Sequence, residues 1–285
     1  MKRILLTLLT VALVAALAVF GVVPVVVRQA RLKDNARVVS GYRAATDALS
    51  PSECGAMLAR VAEHNRALDS SAWSDPYAPA AGEPATEGEP YGALLDPAGD
   101  GTMAILTLPK LGATLAVHHG GESGDGKARV AHAPLSRLPS RGTNGPCVVY
   151  AVPERCYDPF AGLDRLISGD CFFLRVLQDT ATYEVFQVAS LSPQALTELR
   201  SAEGDDECAL VAAAAAGSGD KRLVVRGRRV PRMSATPRDD SRVLASGLPE
   251  LIFAAPVAVV GLALLAIIEF FRRAFRRHRR RRMKL

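Results

Sequence analysis

The residues of this chain that could do chemistry are five cysteines, five histidines and two short motifs with the spacing of known catalytic loops. A cysteine thiolate serves as nucleophile or metal ligand. Cys54, Cys147, Cys156, Cys171 and Cys208 show none of the paired C-x-x-C spacing of a zinc site, so no metal is expected. In an oxidising compartment an odd count leaves at least one thiol unpaired or intermolecular, and the connectivity stays open. His118 and His119 are adjacent, so on a strand they point to opposite faces and do not share a metal. These two and His132, in "RVAHAPLSRLP", read as structural histidines. His64 reads as a solvated helix position, and His278 belongs to a basic tail. Residues 121–127, "GESGDGK", have phosphate-loop spacing, but Ala128 stands where a Mg²⁺-binding hydroxyl is needed, and a flexible turn is the better reading. Residues 218–221, "SGDK", match S-x-x-K, yet the serine sits in a Gly-flanked turn and no S-D-N or K-T-G partner is present.

The elements that position these side chains change character along the chain. Two helices are expected at 28–48 and 51–69. The second opens on "SPSE", with Ser50 at N-cap, Pro51 at N1 and Glu53 at N3, a capping box. Residues 70–99 are rich in Ser, Ala, Pro, Gly and acidic residues, a loop long enough to be either a linker or a functional lid. From Gly101 onward short strands alternate with turns, at 102–109, 113–118, 146–152, 171–177, 181–190 and 222–230. That pattern predicts a mainly β fold, a closed or nearly closed barrel. "SPQALTELR" predicts a short helix with Ser192 at N-cap and Pro193 at N1. On propensity alone "CALVAAAAAG", with Asp205 or Asp206 before it and Gly217 after it, also favours a helix.

Two apolar segments frame this middle, residues 4–27 and 251–268, each about long enough to cross a hydrocarbon core of roughly 30 Å. The tail, residues 272–285, carries eight Arg and one Lys and belongs on the cytoplasmic side. Two spans put both termini inside and residues 28–246 outside. Cleavage of the first segment as a signal peptide would leave the middle outside as well. Of the formal +6, the tail supplies +9 and Lys2 with Arg3 +2, so residues 4–271 carry −5. The basic balance is thus suited to anionic lipid headgroups next to the membrane, and a nucleic-acid surface is not expected.

Taken together, the layout resembles a class C sortase, the pilin-polymerising branch of the sortase family. The segments that carry the likeness are "YGALLDPAGDGTMAILTLPKLGATLAVHHG", "RVAHAPLSRLPSRG", "FAGLDRLISGDCFFLRVLQDTATYEV" and "RLVVRGRRV". "DPY", Asp75, Pro76 and Tyr77, is similar to the Asp-Pro-aromatic motif of that branch's lid, which makes the long loop a lid. The resemblance implies a sortase-type closed β-barrel with an N-terminal helical hairpin, flanked by two transmembrane helices. Its parts are an N-terminal span (1–27), the hairpin (28–69), the lid (70–99), the barrel (100–232), a linker (233–250), a C-terminal span (251–271) and the tail (272–285).

The family's chemistry is the attack of a Cys thiolate on the Thr–Gly bond of an LPXTG-type sorting signal. An amine then resolves the thioacyl intermediate, with a His in acid–base work and an Arg steadying the oxyanion. Carried over, the Arg falls on Arg222. The Cys position, counted back from Arg222, is Ala213, so the family pattern replaces the helix over the alanine run with a strand near 207–212 followed by a loop. The His position, within "CVVYAVPERC", is Val152, or Ala151 if the register slips by one. No His occurs between His132 and His278. The resemblance therefore implies a chain that keeps the Arg and lacks the Cys and the His. Cys208 is the fallback nucleophile, five residues or about 16 Å along a strand from the expected site. Cys147 and Cys156 flank the missing His and could pair. No cofactor is expected. The expected partners are LPXTG-type sorting signals or pilin subunits, an active sortase, and the membrane.

Overall fold

The computed structural model describes residues 11, 22–68, 75–78, 90–120, 130–140, 145–152, 157–199, 201, 206–213 and 219–231. The chain divides into two compact units, residues 1–31 with 245–285, and residues 32–244. Most of both expected membrane segments and the whole basic tail lie outside the described residues, as do the "GESGDGK" motif and Ser218. No helix among the described residues is long and apolar enough to cross a membrane.

Helix α1 runs over Val23–Asp47 and α2 over Pro51–Ala67. The capping box at the start of α2 is present: the Glu53 amide donates to the Ser50 hydroxyl (3.3 Å), and the Ser50 amide donates to the Glu53 carboxylate (2.8 Å). Each helix docks on the barrel through its own cluster. From α1, Val39 and Tyr42 pack on Ile105 and Ala116. Asn35 stands in for a missing strand neighbour, donating from Nδ2 to the Thr114 carbonyl (2.8 Å) and accepting from the Ala116 amide (3.0 Å). From α2, Val61 joins the barrel core, and Asn65 exchanges two hydrogen bonds of 2.9 Å with the backbone of Leu138. Arg137 donates to the carbonyls of Asn65 (2.6 Å) and Leu68 (3.3 Å), satisfying acceptors at the helix C-terminus.

The barrel comprises β1 (Thr102–Leu108), β2 (Ala113–His119), β3 (Val130–His132), β4 (Gly145–Ala151), β5 (Cys171–Val176), β6 (Asp179–Leu191), β7 (Asp206–Ala213) and β8 (Arg222–Val230). It is closed in the order β1-β2-β3-β4-β7-β8-β6-β5. Two of the pairings are parallel, β2 with β3 and β4 with β7. The six strands expected from alternation are all present, within two residues at each end. The short helix α3 (Pro193–Thr197) has Ser192 as its N-cap. Gly227 in β8 is required by close approach. A Cβ there would meet Phe172 at 2.5 Å, where Phe172 stacks on Tyr183 at a centroid distance of 5.4 Å.

One histidine departs from its sequence reading, His64, while His119 keeps the structural role read for it. His64 is buried rather than solvated, because α2 turns it toward the Tyr91 ring, 6.1 Å between centroids. His119 is also buried, with Nε2 at 2.7 Å from the Leu94 carbonyl and Nδ1 at 3.0 Å from that of Gly101. Burial holds His64 below the ordinary imidazole value, and the nearby His132 adds to the effect. Burial also lowers His119, with the two carbonyls opposing it.

Two outcomes follow from this packing. Tyr42 is fully buried and its hydroxyl donates to the Met103 carbonyl (2.7 Å) while accepting from the Leu177 amide (2.9 Å). Tyr42→Phe leaves both backbone groups without that partner and is expected to cost about 1–3 kcal/mol by denaturant unfolding. As pH falls through 6.5, the unfolded chain takes up protons on His64 and His119 before the folded chain does, so stability declines toward acid. Thermal unfolding between pH 7.5 and 5.5 is expected to show that decline, with a smaller slope in His64→Leu.

Candidate active-site groove

The ends of three neighbouring strands meet at one place on the barrel wall. β7 runs parallel to β4 with Tyr150 opposite Val211, and continuing that register by two places sets Val152 beside Ala213. On its other side β7 runs antiparallel to β8, with Ala213 directly opposite Arg222. Three positions distant in sequence are thereby lined up across adjacent strand ends. Ala151, the alternative to Val152, is buried in the barrel interior, whereas Val152 is 37% exposed.

Strand alternation decides which side chains face this place. In β7, Cys208, Leu210 and Ala212 belong to the interior core, while Ala209 and Val211 belong to a separate cluster on the outer face with Val148, Val224 and Leu196. Ala213 shares the parity of Ala209 and Val211, and Arg222 that of Val224. The outer cluster forms an apolar floor against which Tyr77, Tyr150, Leu191 and Leu199 pack. Cys208 therefore does not stand in for Ala213. It is fully buried and faces the opposite side of the strand, so the fallback thiol has no path to the groove.

A short turn at Asp75–Pro76–Tyr77 covers the floor. The Asp75 carboxylate takes a two-pronged contact from Arg222, from Nε to Oδ1 (3.2 Å) and from Nη2 to Oδ2 (3.0 Å). The pair is largely out of solvent, the side chains being 12% and 6% exposed for Arg222 and Asp75. The guanidinium also lies over the Tyr77 ring, 4.9 Å from its centroid, and reaches Asp220 at 3.0 Å. The Tyr77 hydroxyl donates to the carbonyls of Ala151 and Val211, the latter at 3.2 Å, so it bridges the ends of β4 and β7. Its ring meets Tyr150 edge-on at 5.6 Å. Burial drives the Tyr77 phenol well above its ordinary pKa, against the opposing backbone of Ala213 and charge of Arg222, so it remains a donor.

Behind the groove, in the barrel interior, Cys147 lies directly opposite Cys208. Each thiol acts on the ionisation of the other, and His132 also acts on Cys147. Cys208, together with His132, favours the Cys147 thiolate against the cost of burial; on Cys208 the neighbouring Cys147 and burial both disfavour ionisation. Cys147, Cys208, Cys54 and Cys171 are free thiols. Cys156, and with it the Cys147–Cys156 pairing, lies outside the described residues.

With this geometry in hand, comparison with known proteins gives a consistent answer. Residues 106–230 match the family model of the sortase domain. This segment is similar to a sortase domain. The match spans Val152, Ala213 and Arg222 and stops short of the lid turn. Among solved structures, the chain is similar to sortase C1 from Streptococcus agalactiae, with 25% identity, a TM-score of 0.56, and coverage of 69% of this chain and 100% of that one. It is also similar to sortase C-1 from Actinomyces oris, with 27% identity, a TM-score of 0.53, and coverage of 64% and 100%. Sortase A from Corynebacterium diphtheriae shares the fold at 22% identity and a TM-score of 0.59, with coverage of 71% and 95%. No curated protein matches the chain significantly.

Sequence reasoning named Arg222, Ala213, Val152 and the three lid residues, and the barrel with its lid turn brings them together. It missed Tyr150, Asp220 and the leucines of the β6–β7 connection, whose only sequence signal is apolar spacing. It also missed the carboxylate of Asp75 as the partner of Arg222.

The lid contacts predict how exposed the strand end is. A thiol introduced by Ala213→Cys is expected to react slowly with iodoacetamide. Adding Asp75→Ala removes a charge-assisted contact worth about 1.5–3 kcal/mol and is expected to raise the rate about tenfold or more, as read by mass spectrometry of the timed reaction.

Proposed function

We propose that this chain is a membrane-anchored, extracytoplasmic protein of class C sortase type that binds its ligand without performing transpeptidation. It acts in pilus assembly or cell-wall protein anchoring as an accessory factor. The observation that carries this reading is the alignment of Val152, Ala213 and Arg222 across three strand ends. A transpeptidase of this family needs a thiol and an imidazole beside the arginine. A methyl and an isopropyl group neither attack a carbonyl nor move a proton, and loss of the nucleophile of a catalytic unit costs on the order of a millionfold in rate. Arg222 remains, and so does the apolar floor beneath the lid. That combination suits a groove that holds an extended peptide and steadies a carbonyl or carboxylate.

The ligand class is an LPXTG-type sorting signal or the pilin subunit that bears one, with an active sortase as a further partner. The two apolar end segments and the basic tail support the anchoring, with both termini inside and the sortase domain outside. A rearranged enzyme would need another cysteine in the groove, and Cys147 and Cys208 both face the barrel interior.

Incubation of the full chain in detergent with an LPXTG-type peptide and an amine is expected to give no cleavage. Binding of the same peptide, followed by fluorescence anisotropy, is expected to tighten in Tyr77→Ala and to weaken in Arg222→Ala. Thiol-dependent cleavage by the unaltered chain would overturn the reading, as would an affinity unmoved by both substitutions.

A further inference from the structure

We propose that Cys147 and Cys208 become joined by a disulfide, tying β4 to β7 inside the barrel. The two residues are 61 positions apart in sequence, yet the parallel register sets them directly opposite one another. Both point into the interior, at 3% and 0% exposure, and both belong to the same core cluster. Neighbouring strands lie about 4.7–4.9 Å apart, inside the Cα separation of about 4.4–6.8 Å that a disulfide spans. Cys54 sits on α2 and Cys171 on β5, neither of which borders β4 or β7 in the sheet. Among the described residues these two thiols are the pair that the fold itself brings together.

The reaction breaks two S–H bonds and forms one S–S bond. Its two protons and two electrons reduce the disulfide of an oxidant, either a thiol–disulfide oxidoreductase or a small-molecule disulfide, to two thiols. Full burial means that exchange takes place while the chain folds, before β4 and β7 close on each other. Afterwards the bond is shielded from reductants. It fixes the relative register of the strands that end at Val152 and Ala213, and so one wall of the groove. It also withdraws the two interior thiols from any nucleophilic role.

The oxidant depends on the extracytoplasmic placement proposed above, so the test separates the two ideas. The full chain is examined as isolated from membranes, and again after denaturation, reduction and refolding in detergent with a glutathione redox buffer. Each sample is alkylated in denaturant without reductant, then digested with trypsin. The fragments 142–155 and 201–221 carry Cys147 and Cys208 separately, and Cys156 falls in 156–165. A linked 142–155/201–221 species, two hydrogens lighter than the sum of its parts, is the expected result in both samples. Linkage in the refolded sample alone supports the pair and contradicts the extracytoplasmic reading. Singly alkylated fragments in both samples, or Cys147 linked to 156–165, overturn the proposal.

Discussion

The structure depends on the way β7 is paired on both sides. Its parallel ladder with β4 and its antiparallel ladder with β8 fix three strand ends in one row. A one-residue slip in either would turn every side chain of β7 to the other face, exchanging Cys208 and Ala213 between core and groove. The slip is prevented by what each face buries. Inside, Cys208, Leu210 and Ala212 fill a closed barrel, and outside Ala209 and Val211 lie under Leu196 and the lid tyrosine. At the other end of β7, Arg226 of β8 reaches the buried Glu207 carboxylate at 2.8 Å, which adds a polar check on the same register.

The lid uses this row as its anchor. Asp75 supplies a carboxylate to the arginine, and Tyr77 supplies a hydroxyl to two strand-end carbonyls and a ring to the arginine's face. The first contact occupies the guanidinium that the sortase resemblance assigns to the oxyanion. A peptide ligand of the proposed kind would have to displace an internal carboxylate from a guanidinium that is mostly out of solvent. Such a contact is strong because charge and geometry coincide, and it is selective because a neutral or misplaced group does not replace it.

Much of this was legible in the chain before any coordinates. Hydrophobic alternation located six of the eight strands, and Ser-Pro-x-Glu marked the start of α2. β3 escaped because three residues cannot show a period. β7 is the more instructive case, since alanine is a strong helix former and the local pattern around 207–216 favours a helix. Pairing on both edges of a sheet overrides that preference, because strand propensity is mainly a matter of fitting the neighbours. Only the family register pointed to a strand there, and the strand over Asp206–Ala213 agrees with it. His64 was misread because the face that α2 turns to the barrel depends on a docking that the helix sequence alone does not specify.

The central claim is that the groove keeps the frame of a transpeptidase without its reactive groups. Restoring them tests it most directly, through intact-mass measurement of the Val152→His, Ala213→Cys double variant after incubation with an LPXTG-type peptide. The account predicts a thioacyl adduct at residue 213 in the variant and none on the unaltered chain. An adduct on the unaltered chain, or one that forms at another cysteine of the variant, would contradict it.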